Sequence, residues 1–132
     1  MTTIASEMDE VTLQVESNLD APSRSRSQLR SLKARLEPRY EDVVLVVSEL
    51  VANSVRHGAS SNIDVRVAAQ ADRIRVEVTD NGPGFSIDDP RGEGLGLLIV
   101  DKLADRWGMK NGRRKFTVWA ELSVIPCGDQ PG

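Results

Sequence analysis

Ile74, Val76 and Val78 alternate with polar residues and run directly into Asp80, which shares their parity. Side chains two residues apart on a strand share one face, so this stretch predicts a strand with a buried side. It also predicts that the Asp80 carboxylate leaves the strand on that buried side. A carboxylate taken out of water needs polar partners, because an unpaired buried charge is costly. The turn that follows, Asp80-Asn81-Gly82-Pro83-Gly84-Phe85, carries two glycines where side chains would otherwise fill the space. An inward carboxylate beside a glycine-lined gap can accept a hydrogen bond from an amino group on a flat ligand. Taken alone, the same letters fit an ordinary surface turn equally well.

The rest of the chain reads around this strand. Val11, Leu13 and Val15 alternate over 10–16, and Ile63, Val65 and Val67 over the next strand, with a turn at Ala71-Asp72. Asp20 and Pro22 open a helix whose apolar spacing is Leu29, Leu32, Leu36 and which Pro38 stops. A second helix is predicted from Tyr40 to His57, ended by Gly58. A loop over 86–93 leads to a third helix from Leu95 to Trp107, closed by Gly108. Asn111-Gly112 signals a hairpin, and Phe116, Val118, Ala120, Leu122 and Val124 alternate as the last strand. Adjacent strands outnumber strand-helix-strand units. The expected class is therefore α+β: a two-layer α/β sandwich with a mixed, mostly antiparallel sheet and three helices on one face.

Two further segments carry chemistry. On the second helix, Glu49, Asn53, Arg56 and His57 fall on one arc at 100° per residue, apart from the arc of Val43, Val47, Leu50 and Val51. That arc is either a solvated face or a ligand site. Gly92-Glu93-Gly94-Leu95-Gly96-Leu97 stands directly before the third helix. Free backbone N–H groups and the positive end of a helix suit a phosphate there. The Gly-Lys-Ser/Thr of a Walker loop is absent, and the strand-turn-helix setting of a dinucleotide fold is absent too.

The three segments in this order resemble the ATPase superfamily of gyrase B, the heat-shock chaperones, the sensor histidine kinases and MutL. Glu49-Leu-Val-Ala-Asn53 through Gly58 is similar to its asparagine box. Asp80 through Phe85 and Gly92 through Leu97 are similar to its two glycine boxes. The small size and Thr117-Val-Trp-Ala-Glu-Leu122 narrow the resemblance to the bacterial anti-sigma-factor serine kinases, over about 10–125. It implies a Bergerat-type ATP-binding fold. It also implies that Asn53 ligates Mg²⁺, Asp80 binds the adenine amino group, and Gly82 and Gly84 shape the adenine pocket. Gly94 and Gly96 expose amides to the phosphates, and Glu49 acts as general base. Implied partners are a sigma factor and a small anti-anti-sigma antagonist, with a homodimer as one assembly. A kinase acting by partner switching leads. A non-catalytic module that holds ATP or a protein partner is the alternative, and a detached ATPase or sensor-kinase domain is third.

One position departs from the resemblance. The superfamily often has a Gly-Thr pair in the last strand; here Lys115 and Phe116 stand there, and alternation turns Thr117 to the other face. That favours weaker or differently arranged nucleotide binding.

Composition adds boundaries. The chain has 132 residues, which fits one domain over 10–125 with flexible ends at 1–9 and 126–132. Its net charge of −3 argues against general nucleic-acid binding. The single cysteine, Cys127, excludes an intrachain disulfide. No apolar run approaches bilayer length, and the polar start is unlike a signal peptide, so no membrane role and a cytoplasmic location are expected. His57 is read as a helix-end contact, not a phosphoacceptor, and Trp107 and Trp119 as packing residues.

Overall fold

The computed structural model describes residues 8–57, 62–70, 72–82, 95–113 and 115–124. The strands are β1 (Met8–Glu16), β2 (Asn62–Gln70), β3 (Arg73–Asp80), β4 (Arg106–Gly112) and β5 (Lys115–Ser123). The helices are α1 (Ala21–Leu29), α2 (Lys33–Leu36), α3 (Tyr40–His57) and α4 (Leu95–Leu103). The strand order is β1-β2-β3-β5-β4. Every pairing between these strands is antiparallel, so the sheet is wholly antiparallel among the described residues.

Register follows from parity. Val65 faces Val78, Val67 faces Val76, and on the other side Val78 faces Val118 and Val76 faces Ala120. All of these side chains are buried on one face. The helices pack there: α3 on β2, β3 and β5, α1 on β1 and α3, and α4 on α3 and β4. Val43, Val47, Leu50 and Val51 of α3 are fully buried against the sheet, as their arc predicts.

The helical segment after β1 is not one uniform helix. A 3-10 turn over Arg30–Leu32 separates α1 from α2, yet Leu29, Leu32 and Leu36 all reach the core. Asp20 occupies the cap position, but its side chain makes no capping bond. Instead the Asn18 side chain accepts from the Asp20 N–H at 2.9 Å, turning the chain into the helix. Glu37 is extended, as a residue before proline prefers, and that ends α2.

One expectation near the C-terminal hairpin needs correction. The third helix ends at Leu103, not Trp107, and Trp107 and Gly108 belong to β4. Gly108 lies opposite Trp119, and a Cβ built on it would come within 3.0 Å of the indole. The glycine is therefore a strand position that admits a ring, not a helix stop. The hairpin expected at Asn111-Gly112 is present, with both residues still paired in β4, Asn111 against Phe116 and Gly112 against Lys115. The register with β5 sets where the chain reverses.

The outer face of the sheet is polar. Glu121 accepts from Arg106, Arg75 and Arg73, and Glu77 from Arg75 and Arg66. The Arg75 guanidinium also lies 4.5 Å from the Trp119 ring centre. Trp107 donates from Nε1 to Asp101 at 2.9 Å. Both tryptophans thus pack at the surface of the sheet and helix, as expected. No helix among the described residues is long and apolar enough to cross a membrane.

Candidate nucleotide site

Asp80 ends β3 on the inner face and is only 4% exposed. Its two carboxylate oxygens have different partners. Ser54 Oγ on α3 donates to Oδ2 at 2.6 Å, and the Gly82 N–H donates to Oδ1 at 2.7 Å. The second bond curls the chain back as it leaves the strand, and Gly82 is itself buried. The direction read from alternation is thus the observed one, and the buried charge is held by a hydroxyl and a backbone amide.

Asn53 is 4% exposed, on the α3 turn that also supplies Ser54. Asn53 is thus withdrawn from solvent, while other members of its arc are not. Glu49 sits one helical turn earlier on the same side and is half-buried. Arg56 is exposed. Ser54 and Asp80 are therefore brought together where α3 meets the end of β3, with Asn53 next to Ser54 in the chain and Glu49 one turn earlier on α3.

Ser54 is the residue that sequence reasoning missed. Its signal is its place in the apolar stripe: Val43, Val47, Leu50 or Val51, then Ser54 follow a three-to-four spacing. A hydroxyl in a stripe of valines and leucines implies a buried polar partner across the interface.

Phe116 is the direct antiparallel partner of Asp80 and is 2% exposed on the same inner face. Thr117 points to the outer face, where its hydroxyl lies 2.8 Å from that of Thr79. The alternation argument for both residues therefore stands in the structure. An aromatic ring flanks the carboxylate where the superfamily's threonine was expected.

Gly96 lies in the first turn of α4. Gly84 and Gly94 lie outside the described residues, as do Gly58 and the loop over 86–93. His57 is the last residue of α3, and the contact expected of its side chain also falls outside them. Hollows of about 300 and 380 Å³ open on the outer sheet face, away from Asp80. Their walls include Arg66, Arg73, Arg75 and Arg106, which are already engaged with Glu77 and Glu121. No group of three acidic, histidine or cysteine side chains is gathered among the described residues. A carboxamide at Asn53 suits a magnesium ion that arrives on phosphates and keeps most of its waters. A buried acceptor beside a glycine turn likewise suits an adenine amino group.

Comparisons with known proteins bear on the family and the fold. Residues 39–126 match the family described as histidine kinase-, DNA gyrase B- and HSP90-like ATPases. The serine-protein kinase RsbW of Listeria monocytogenes is 28% identical over 120 residues, covering 74% of this chain and 76% of that protein. The crystal structure of the RsbU and RsbW domains of Rv1364c from Mycobacterium tuberculosis aligns with a TM-score of 0.68 at 22% identity. That alignment covers 86% of this chain and 32% of the other, so this chain spans about a third of it. The Acinetobacter baumannii histidine kinase AdeS aligns with a TM-score of 0.55 at 14% identity, over 88% of this chain and 68% of that one. Likeness at such identities shows the shared fold.

Proposed function

The chain belongs to the histidine kinase-, DNA gyrase B- and HSP90-like ATPase family, and from that premise we propose that it is a cytoplasmic serine/threonine kinase and anti-sigma factor that works by partner switching. The observation that carries the reading is the buried Asp80 carboxylate, aimed inward between Ser54 and Gly82. Its oxygens keep lone pairs for one further donor, and the amino group of adenine is a donor of the right kind. Gly82 and Gly84 would shape the pocket for the ring, as the resemblance implies. Asn53 would hold Mg²⁺, and backbone amides at Gly94 and Gly96 would face the phosphates.

When bound, ATP supplies the phosphoryl group, and Mg²⁺ neutralises its charge. Glu49 would take the proton from an incoming serine hydroxyl as the oxygen becomes bonded to phosphorus and ADP departs. A base in this role contributes on the order of 10²–10⁴ in rate. Positioning by Asn53 and the α4 start would supply most of the remainder. The partners on this reading are a sigma factor and a small antagonist protein, with the kinase as a homodimer and no direct contact to nucleic acid or membrane.

The alternative is a non-catalytic module that holds ATP or a protein. Phe116 favours it, because a large buried residue pairs with Asp80 at the position where the superfamily often has a threonine.

The test is incubation with γ-labelled ATP, Mg²⁺ and native cell extract, comparing wild type with Glu49→Ala. Label on a serine of a small protein, lost in the variant, supports the kinase. Tight ATP binding without label supports the module. No nucleotide binding overturns the kinase and the ATP-holding module, and leaves only a module that holds a protein.

A further inference from the structure

We propose that Arg39 is a positioning residue that sets where the start of α4 lies relative to α3, and so the geometry of phosphate binding. The inference rests on the nucleotide-binding reading above. Arg39 directly precedes α3, and its backbone already belongs to the helix entry: the Val43 N–H donates to the Arg39 carbonyl at 2.9 Å. Its side chain is 18% exposed and uses all three nitrogens on three different elements. Nε donates to Asp42 Oδ2 at 2.9 Å, within the first turn of α3. Nη2 donates to the carbonyl of Leu103, the last residue of α4, at 2.7 Å. Nη1 donates to the carbonyl of Ser123, the last residue of β5, at 2.6 Å.

Each bond has a physical reason. The final carbonyls of a helix have no partner within it, and a cation suits that negative end. Leu103 O is such a group. The Asp42 carboxylate fixes the guanidinium so that its planar fork meets two carbonyls at once. Neighbouring bonds close the same corner: Asp105 N–H donates to Glu121 O at 2.8 Å, and Ser123 N–H to Asp105 Oδ2 at 2.7 Å.

The functional consequence comes from what each helix carries at its other end. α4 begins next to Gly94 and includes Gly96, the amides proposed for phosphate. α3 carries Glu49 and Asn53, the latter about 21 Å along the helix from Arg39 at 1.5 Å per residue. α3 and α4 pack together, and Arg39 joins the start of one to the end of the other. A rotation or slide of α4 on α3 would move the phosphate amides against Asn53 while leaving Asp80, on β3, in place. Arg39 therefore acts on the phosphate half of the site and not on the adenine half.

That asymmetry is the test. Calorimetric titrations of the full chain compare MgATP with adenosine, for wild type, Arg39→Gln and Arg39→Lys. Circular dichroism and thermal melting confirm that each variant is folded at the titration temperature. The expected result is MgATP affinity roughly tenfold weaker in Arg39→Gln, with adenosine affinity unchanged. Arg39→Lys, which can reach one carbonyl but not hold all three acceptors, should fall between. Equal loss for both ligands would reduce Arg39 to a general stabiliser and overturn the inference, as would unchanged MgATP affinity. Failure of the wild type to bind either ligand would instead overturn the nucleotide-binding reading. If Arg39→Gln is unfolded, the comparison rests on Asp42→Asn, which removes the charge that orients the fork; it must show the same selective loss.

Discussion

Ser54 Oγ and Asp80 Oδ2 lie 2.6 Å apart, joining the asparagine-bearing helix to the end of the central strand inside the core. The bond makes one unit of two sequence segments twenty-six residues apart. Replacing Ser54 by Ala leaves a buried carboxylate oxygen short of a donor. The expected cost is about 1–3 kcal/mol of folding stability, measured by urea denaturation. An unchanged midpoint would mean that Asp80 finds another partner without cost.

Phe116 faces Asp80 across the β3–β5 pair and is buried. Phe116→Thr should move two measurements in opposite directions. Loss of the ring costs roughly 2–4 kcal/mol of stability through the cavity it leaves. Nucleotide affinity, if the ring crowds the adenine space, rises several-fold. A fall in both would show that the ring forms part of the pocket instead of restricting it.

Acid sensitivity should come from the outer sheet face. Hydrogen bonding from Arg106 holds the Glu121 carboxyl below its ordinary value; burial opposes this, and Arg75 adds to it. At Glu77 burial pushes upward, but the hydrogen bond and charge of Arg75, with Arg66, outweigh it and the net shift is downward. A carboxylate whose folded pKa is depressed stabilises the fold above its unfolded pKa. That contribution is lost as the pH falls through the folded value. Unfolding free energy should therefore decline below the ordinary carboxylate range. Glu121→Gln should lower stability at neutral pH by about 1–3 kcal/mol and flatten the acid limb. Parallel pH curves for wild type and variant would assign the acid sensitivity elsewhere.

Gly108 lies beneath the Trp119 indole, with no room for a Cβ unless the ring moves. Gly108→Ala should shift the tryptophan emission and cost on the order of 1 kcal/mol, read by fluorescence-monitored denaturation. An unaltered spectrum would place the ring farther from β4 than the structure has it.

Parts of this architecture are visible in the sequence because they rest on local periodicity. The parity of Ile74, Val76, Val78 and Asp80 gives both the buried face of β3 and the direction of the carboxylate. The valine and leucine spacing gives the buried side of α3. The end of α4 is not visible in this way. Leu95 to Trp107 stays compatible with a helix, and only the pairing of Gly108 with Trp119, eleven residues later, reveals a strand. The Asn111-Gly112 signal does mark the β4–β5 hairpin, but both residues are paired in β4, because the register with β5 decides where the chain reverses. Ser54 and Arg39 are hidden more deeply. Each acts through a residue distant in the chain: Ser54 lies inside the asparagine box but has no role assigned by the resemblance, and Arg39 lies outside all three boxes.

The central claim, that Asp80 is the base-reading carboxylate of an ATP site, is tested most directly by calorimetric titration of MgATP into wild type and Asp80→Asn. Asparagine nearly preserves the shape and keeps an acceptor oxygen, but it removes the charge and brings an amide donor. The account predicts saturable binding of one nucleotide per chain by the wild type and at least a hundredfold loss in the variant, about 2.7 kcal/mol, with the variant still folded. Equal affinity in the two proteins would contradict it.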